Sequence, residues 1–441
     1  MTGDPQAQTE VLLRRALAPL LQETQEVPNT IVQGAVRQGR RRRRFRRAGI
    51  ALVPLAAAVA VAVTVVSIRF SATSPDGPPT DTPRTKGWQT VAESPLSPRG
   101  NPTLVQVGED VVVLGGSETD PCPPTAFCAL DPDDLADGAV YDPDRDVWRS
   151  ITPAPIRLTN ISTASSGNSV YVLTHPLSGS GPKQQLWEYS LTEDRWTQMP
   201  APPQPMDSLV SAGTDHLVAY VTAHTKTWTA DQSYDIASRT WRSVPRDPLA
   251  PSEDRNLIAT ESGDLVVIAV DRHTQRGKPT WSPWRTAQWN AVTKTWKEVP
   301  TPDIVDSGPT WMWVAGRVVN PTTQTIDLGK RLVGTGGIFD PADETWQPVP
   351  SAPVGPEGVL PNLDSAGSGR VFVNDQILDV RSGTWTQAPR PPTRFPTQDA
   401  AAIIVNDRLI VFGGATFEGS RGTLTNDTWV LPLLATTASP P

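Results

Sequence analysis

Six times along this chain a large apolar residue is followed by Asp, Asn or Ser, then by a short turn-forming stretch, and at the seventh position by Trp. The copies are Tyr141 with Trp148, Tyr189 with Trp196, Tyr234 with Trp241, Trp289 with Trp296, Phe339 with Trp346 and Leu378 with Trp385. Five of the six leading residues are aromatic in a chain whose aromatic content is 6%, so chance does not account for the pattern. The spacing has a mechanical meaning. Two antiparallel strands joined by a four-residue turn set residues i and i+7 directly opposite. The intervening segments PDRD, LTED, IASR, AVTK, PADE and VRSG are rich in turn formers. Each copy therefore predicts a β-hairpin with a cross-strand pair on one face.

With Trp88 added, the Trp residues fall 39 to 60 positions apart. Between them lie further strand-like runs, such as Val111–Leu114 before Gly115-Gly116 and Leu409–Phe412 before Gly413-Gly414. Pro (46) and Gly (32) are too abundant for a helical body of 441 residues. A strand-only repeat near 50 residues, with a double glycine closing the second strand, an aromatic on the third and Trp on the fourth, resembles the kelch repeat. The resemblance covers residues 88–433 and implies an all-β, seven-bladed kelch-type β-propeller. The double glycine is kept only twice; Thr174-His175, Val221-Thr222 and Ala269-Val270 stand in its place in the middle repeats. Trp88 lacks a leading partner, and the segment Trp429–Leu433 lacks a following Trp. The two ends complement each other, so the strand at Trp88 is expected to complete the last blade and close the ring.

The rest of the chain reads differently. Residues 1–48 hold ten Arg against four acids, a balance of +6 in a chain of net −7, which leaves −13 on the remainder. An acidic body argues against nucleic-acid binding there. The Arg run 40–47 leads into an uncharged apolar stretch, 48–68, about 31 Å long as a helix. Positive charge before the stretch orients it with the N-terminus cytoplasmic and the body outside. A cleaved signal peptide is the competing reading, although the basic and apolar regions are both long for one. Expected units are a cytoplasmic Arg-rich helical tail (1–47), a transmembrane helix in contact with lipid (48–68), a Pro-rich linker (69–87), the propeller (88–433) and a disordered tail (434–441). The N-terminal arrangement is also similar to that of bacterial membrane-bound anti-sigma-like proteins, but the His/Cys zinc motif of many of them is absent, since no His or Cys precedes Cys122.

Few residues suggest chemistry. Cys122 and Cys128 are spaced for a small disulfide in an oxidising compartment. Asp131, Asp133, Asp134 and Asp137 resemble a calcium loop, yet Leu135 falls where an oxygen ligand is needed, so a solvated acidic loop is expected. His175, His216, His224 and His273 occupy different repeat positions, unlike the copper ligands of kelch-type oxidases, and neither metal nor cofactor is expected. Trp228, Trp281 and Trp284 lie outside the repeat in Thr/Lys/Pro-rich stretches that read as loops, where they either bind a ligand or cover blade edges. Trp311 and Trp313 alternate as strand core. The functional expectation is a membrane-anchored module binding an extracytoplasmic protein or glycan without catalysis. A catalytic propeller acting on a sugar or other small substrate, and an anti-sigma-like signalling protein, are the alternatives.

Overall fold

A computed structural model describes residues 87–433, except 124–125, 127, 129–134, 176–182, 224–228, 272–283, 303–310, 327–330, 335, 353–364 and 374. The expected cytoplasmic helix, membrane span, most of the linker and the C-terminal tail lie outside the described residues. Among those described, no helix is long and apolar enough to cross a membrane.

Seven four-stranded antiparallel sheets form the blades of a β-propeller. Blades 1 to 6 are continuous in sequence: 103–150, 161–199, 208–243, 252–299, 312–348 and 365–387. Blade 7 takes three strands from 401–432 and its fourth from Gln89–Thr90. There Gln89 pairs with Val430 and Thr90 with Trp429. One more step of that register sets Trp88 opposite Leu431, and the two share an apolar cluster. The missing partner of Trp88 thus comes from the other end of the chain. The innermost strands of successive blades touch in order round the ring, and that of blade 7 meets that of blade 1.

The predicted hairpin register is present in all six copies, with Tyr141 opposite Trp148, Tyr189 opposite Trp196 and Tyr234 opposite Trp241. Trp289 faces Trp296, Phe339 faces Trp346 and Leu378 faces Trp385 in the same way. The aromatic pairs have ring centroids 4.8–5.5 Å apart, within the range of favourable aromatic contact. The small polar residue after the leading residue closes the turn: Asp142 Oδ1 accepts from the N–H groups of Asp144 and Arg145, and Asn290 Oδ1 from those of Val292 and Thr293. Asp235 and Asp379 do the same for Ser238 and Ser382. The last turn residue is left-handed in every copy: Asp146, Asp194, Arg239, Lys294, Glu344 and Gly383.

The core lies between blades. Among the described residues, seven apolar clusters each join one blade to the next. This explains why second strands are unbroken apolar runs. Val112 and Leu114 face blade 2 while Val111 and Val113 face blade 7, so both sides of the strand are buried. The following Gly115 has φ +58°, and a Cβ there would lie 2.7 Å from Leu158 Cβ.

A second use of Trp was not anticipated from the spacing. Each repeat indole except one donates its N–H across the seam, to the carbonyl of the residue four positions after the preceding repeat Trp. Trp148 Nε1 reaches Ala92 O at 3.1 Å, Trp196 reaches Thr152 O at 2.8 Å and Trp241 reaches Pro200 O at 2.7 Å. Trp296, Trp385 and Trp88 reach the carbonyls of Pro245, Pro350 and Pro389 at 2.8, 2.9 and 2.9 Å. Where the receiving residue has an N–H, the left-handed turn residue is Asp and takes it: Ala92 N to Asp146 Oδ1 at 2.9 Å, Thr152 N to Asp194 Oδ1 at 2.8 Å. The same carboxylates accept the Tyr141 and Tyr189 hydroxyls. Where the receiving residue is Pro, no N–H exists and Arg239, Lys294 or Gly383 occupies the turn position. The Tyr234 hydroxyl, facing Arg239 instead of Asp, has no partner among the described residues.

Two outcomes are expected from these contacts. Closure rests on Trp88 and Gln89–Thr90, so a chain starting at residue 95 should melt far lower, or aggregate, relative to one starting at residue 85. The shortened chain also loses the half-buried Trp88 ring and its N–H bond to Pro389 O; equal melting temperatures would refute the closure. The N–H of Thr152, then the Tyr189 hydroxyl, hold the Asp194 carboxyl below its ordinary 3.8. Stabilisation from this depressed group is present above about pH 4 and is lost as pH falls below it. Asp194→Asn should therefore flatten the decline of Tm between about pH 5 and pH 3. A decline as steep as in the parent would place the acid sensitivity elsewhere.

Candidate ligand-binding face

Strand alternation sorts the connections by length. The turns after first and third strands lie at one end of the ring and are short, such as Gly108-Glu109, Asn406-Asp407 and the four-residue turns of the repeat. The connections between second and third strands run at the opposite end and, apart from the two-residue one of blade 6, are longer, as at 115–137, 175–185, 221–231, 321–336 and 413–427. Two of them carry their own hairpins, Thr323–Ile326 with Arg331–Gly334 and Ala415–Glu418 with Arg421–Leu424. One face is therefore framework and the other is variable surface.

The loop of blade 1 is braced on that face. Cys122 and Cys128 form a disulfide, as the spacing predicted. Pro121 packs on the hairpin of blade 7, where a Cβ on Gly422 would come within 2.4 Å of Pro121 Cγ. A shallow groove runs between Asp120-Pro121 and residues 420–424. Below it, Arg99 is fully buried and binds Asp137 through both guanidinium nitrogens, at 2.6 and 3.0 Å, together with Gly115 O at 3.0 Å. Asp137 makes this ion pair while its side chain stays 41% exposed; Asp131, Asp133 and Asp134 lie outside the described residues.

Arg255 makes a second buried centre between blades 3 and 4. It pairs with Asp231 and, at 3.0 Å, with Asp247, and donates to Val221 O at 3.1 Å. Burial pushes the Asp231 carboxyl up against the pull of Arg255. Burial also opposes the charge on Arg255, but the two carboxylates outweigh it and keep the guanidinium protonated. Neither arginine was legible as a buried group. Nothing in the sequence around Pro98-Arg99-Gly100 or Ser252-Glu253-Asp254-Arg255 marks either side chain as buried.

The three candidate indoles fare differently. Trp228 and Trp281 lie outside the described residues. Trp284 is not in a loop: it opens the strand Trp284–Asn290, pairs with Val270 and is 9% exposed. Its ring meets that of Trp311, with centroids 5.8 Å apart. The cause is strand alternation. Trp289, five positions on, faces blade 3 while Trp284 faces blade 5. The edge of Trp284 still lines a shallow groove with Arg285, Glu298, Val299, Pro300 and Thr301. Trp311 and Trp313 belong to the same cluster, as expected.

The histidines do not converge. His175 follows the second strand of blade 2 on the long-loop side, where Gln184 bonds its Nδ1 at 3.1 Å. His216 opens the second strand of blade 3 at the opposite end, beside Asp215 at 2.9 Å. His224 and His273 lie outside the described residues. Among the described residues, no three or more His, Cys, Asp or Glu side chains are grouped to hold a metal ion. No family model matches the chain, and no curated protein matches it in sequence.

Proposed function

We propose that the protein is a membrane-tethered, kelch-type propeller that presents its long-loop face to an extracytoplasmic protein or glycan and acts by binding. The observation that carries this reading is the asymmetry of the ring, since the long connections gather at one end while the other keeps short turns. Scaffold side chains are committed to packing, so recognition falls to the loops. The kelch assignment draws on the glycine pairs Gly115-Gly116 and Gly413-Gly414, all four left-handed, and on the Trp of each fourth strand. The tether draws on the Arg run before residues 48–68 and on the linker that follows. A disulfide on the binding face fits an oxidising compartment.

Topology and binding are tested separately. Protease added to intact spheroplasts should remove the propeller and spare the N-terminal tail; a protected propeller overturns the tether. Shortening the 115–137 loop should abolish recovery of surface partners or glycan-array signal, while replacing Gly108-Glu109 at the other end should not. Equal loss from both changes would remove the assignment of the face.

A further inference from the structure

Among the described residues, six of the seven seams carry the indole-to-carbonyl bond and the seam between blades 4 and 5 does not. By the spacing that holds elsewhere, Trp346 should donate to Pro300 O; instead its Nε1 is buried without a partner among the described residues. Trp311, from the connection entering blade 5, packs edge-on against Trp346 at 5.9 Å and 83°, and its own indole N–H is also buried without a partner. The described residues of this seam are joined by the apolar cluster of Ile258, Val266, Ile268, Val318 and Phe339 and by other polar contacts. Lys297 Nζ meets Glu344 at 2.5 and 2.7 Å, Gln288 Nε2 donates to Pro341 O at 3.0 Å and Trp313 Nε1 to Glu261 Oε1 at 3.1 Å. Lys297 is 65% exposed, so that ion pair is screened by salt.

We propose that the seam between blades 4 and 5 is a built-in hinge at which the ring opens, held shut by its apolar cluster and a salt-sensitive polar latch without the indole bond. Round the other six seams the indole bonds tie blades 5, 6, 7, 1, 2, 3 and 4 in series, making an open clip whose two ends are the outer strands of blades 4 and 5. Two orphaned buried donors remove at this seam the preference for the closed state that each indole bond supplies elsewhere. Opening moves the ends of the second and third strands of blades 4 and 5 apart on the long-loop face. The hinge stands on the framework alone, whatever that face binds.

Hydrogen exchange on the full-length chain in detergent tests it. Backbone amides in Thr345–Pro348 should exchange about tenfold faster than those at the same repeat positions in Thr240–Ser243 and Thr384–Gln387. Raising salt from about 0.05 M to about 1 M should widen that gap at blade 5 while leaving the other two strands unchanged. Trp385→Phe keeps an aromatic ring but removes the donor, and should bring Thr384–Gln387 to the blade 5 rate. Trp346→Phe has no bond to lose and should leave Thr345–Pro348 within about twofold of the parent. Equal protection in the three strands overturns the hinge, as does a salt response shared by all three. So does acceleration by Trp346→Phe matching that by Trp385→Phe.

Discussion

The ring depends on one residue performing two tasks. In five of the fourth strands the face of the Trp ring covers the leading residue of its own hairpin, while its N–H bonds a carbonyl of the neighbouring blade. No other natural side chain combines so large an apolar face with a lone donor at its rim. Phe would keep the pair and lose the bond; His or Tyr would shrink the face. The repeat positions take seven of the chain's 15 Trp, which helps to raise Trp above Phe (8) and Tyr (5). It also makes folding within a blade and docking between blades a single event, since an indole placed by its hairpin is already aimed across the seam.

Pro at the receiving position follows from the same geometry. A residue whose carbonyl accepts the indole bond has its N–H turned toward the next hairpin, and that N–H must be satisfied or absent. Asp146 and Asp194 satisfy it in the first two seams. Proline deletes it at Pro200, Pro245 and Pro350, and the Asp is then dispensable. Once the carboxylate goes, a leading Tyr loses its hydroxyl partner. Tyr234 shows that intermediate state, and the later blades use Trp289, Phe339 and Leu378, which have no hydroxyl to satisfy.

Legibility tracked how local each constraint is. Hairpin register was readable because covalent geometry fixes i to i+7, and closure because two incomplete halves sat at opposite ends of one repeat. The indole bonds span 35 to 301 positions in the described seams, and nothing in a single repeat points to them. In retrospect Trp followed at the fourth position by Pro, as in Trp196 to Pro200 and Trp241 to Pro245, was a visible sign of a carbonyl with no N–H behind it. Trp284 was misplaced because Pro and Lys precede it, although strand alternation from Trp289 sends it to the opposite, buried face. Arg99 and Arg255 could not be read as buried, because their depth comes from Asp137, Asp231 and Asp247 arriving from elsewhere in the chain.

The division between framework and loops follows from where the side chains are spent. Leading residues, Trp and the all-buried second strands leave little in a blade free to meet a ligand, and the short-turn end is closed by capping carboxylates and left-handed residues. Pairs such as Arg408 with Asp144, between blades 7 and 1, add polar stitching at that end. What remains free is the end where insertions do not disturb register. There the loop of Cys122 and Cys128 is anchored twice, by its disulfide and by Pro121 against Gly422 of blade 7. A braced loop loses less entropy on binding than a free one. This makes the blade 1 loop a braced part of the long-loop face, and Arg99 ties it to the core through Asp137 and Gly115.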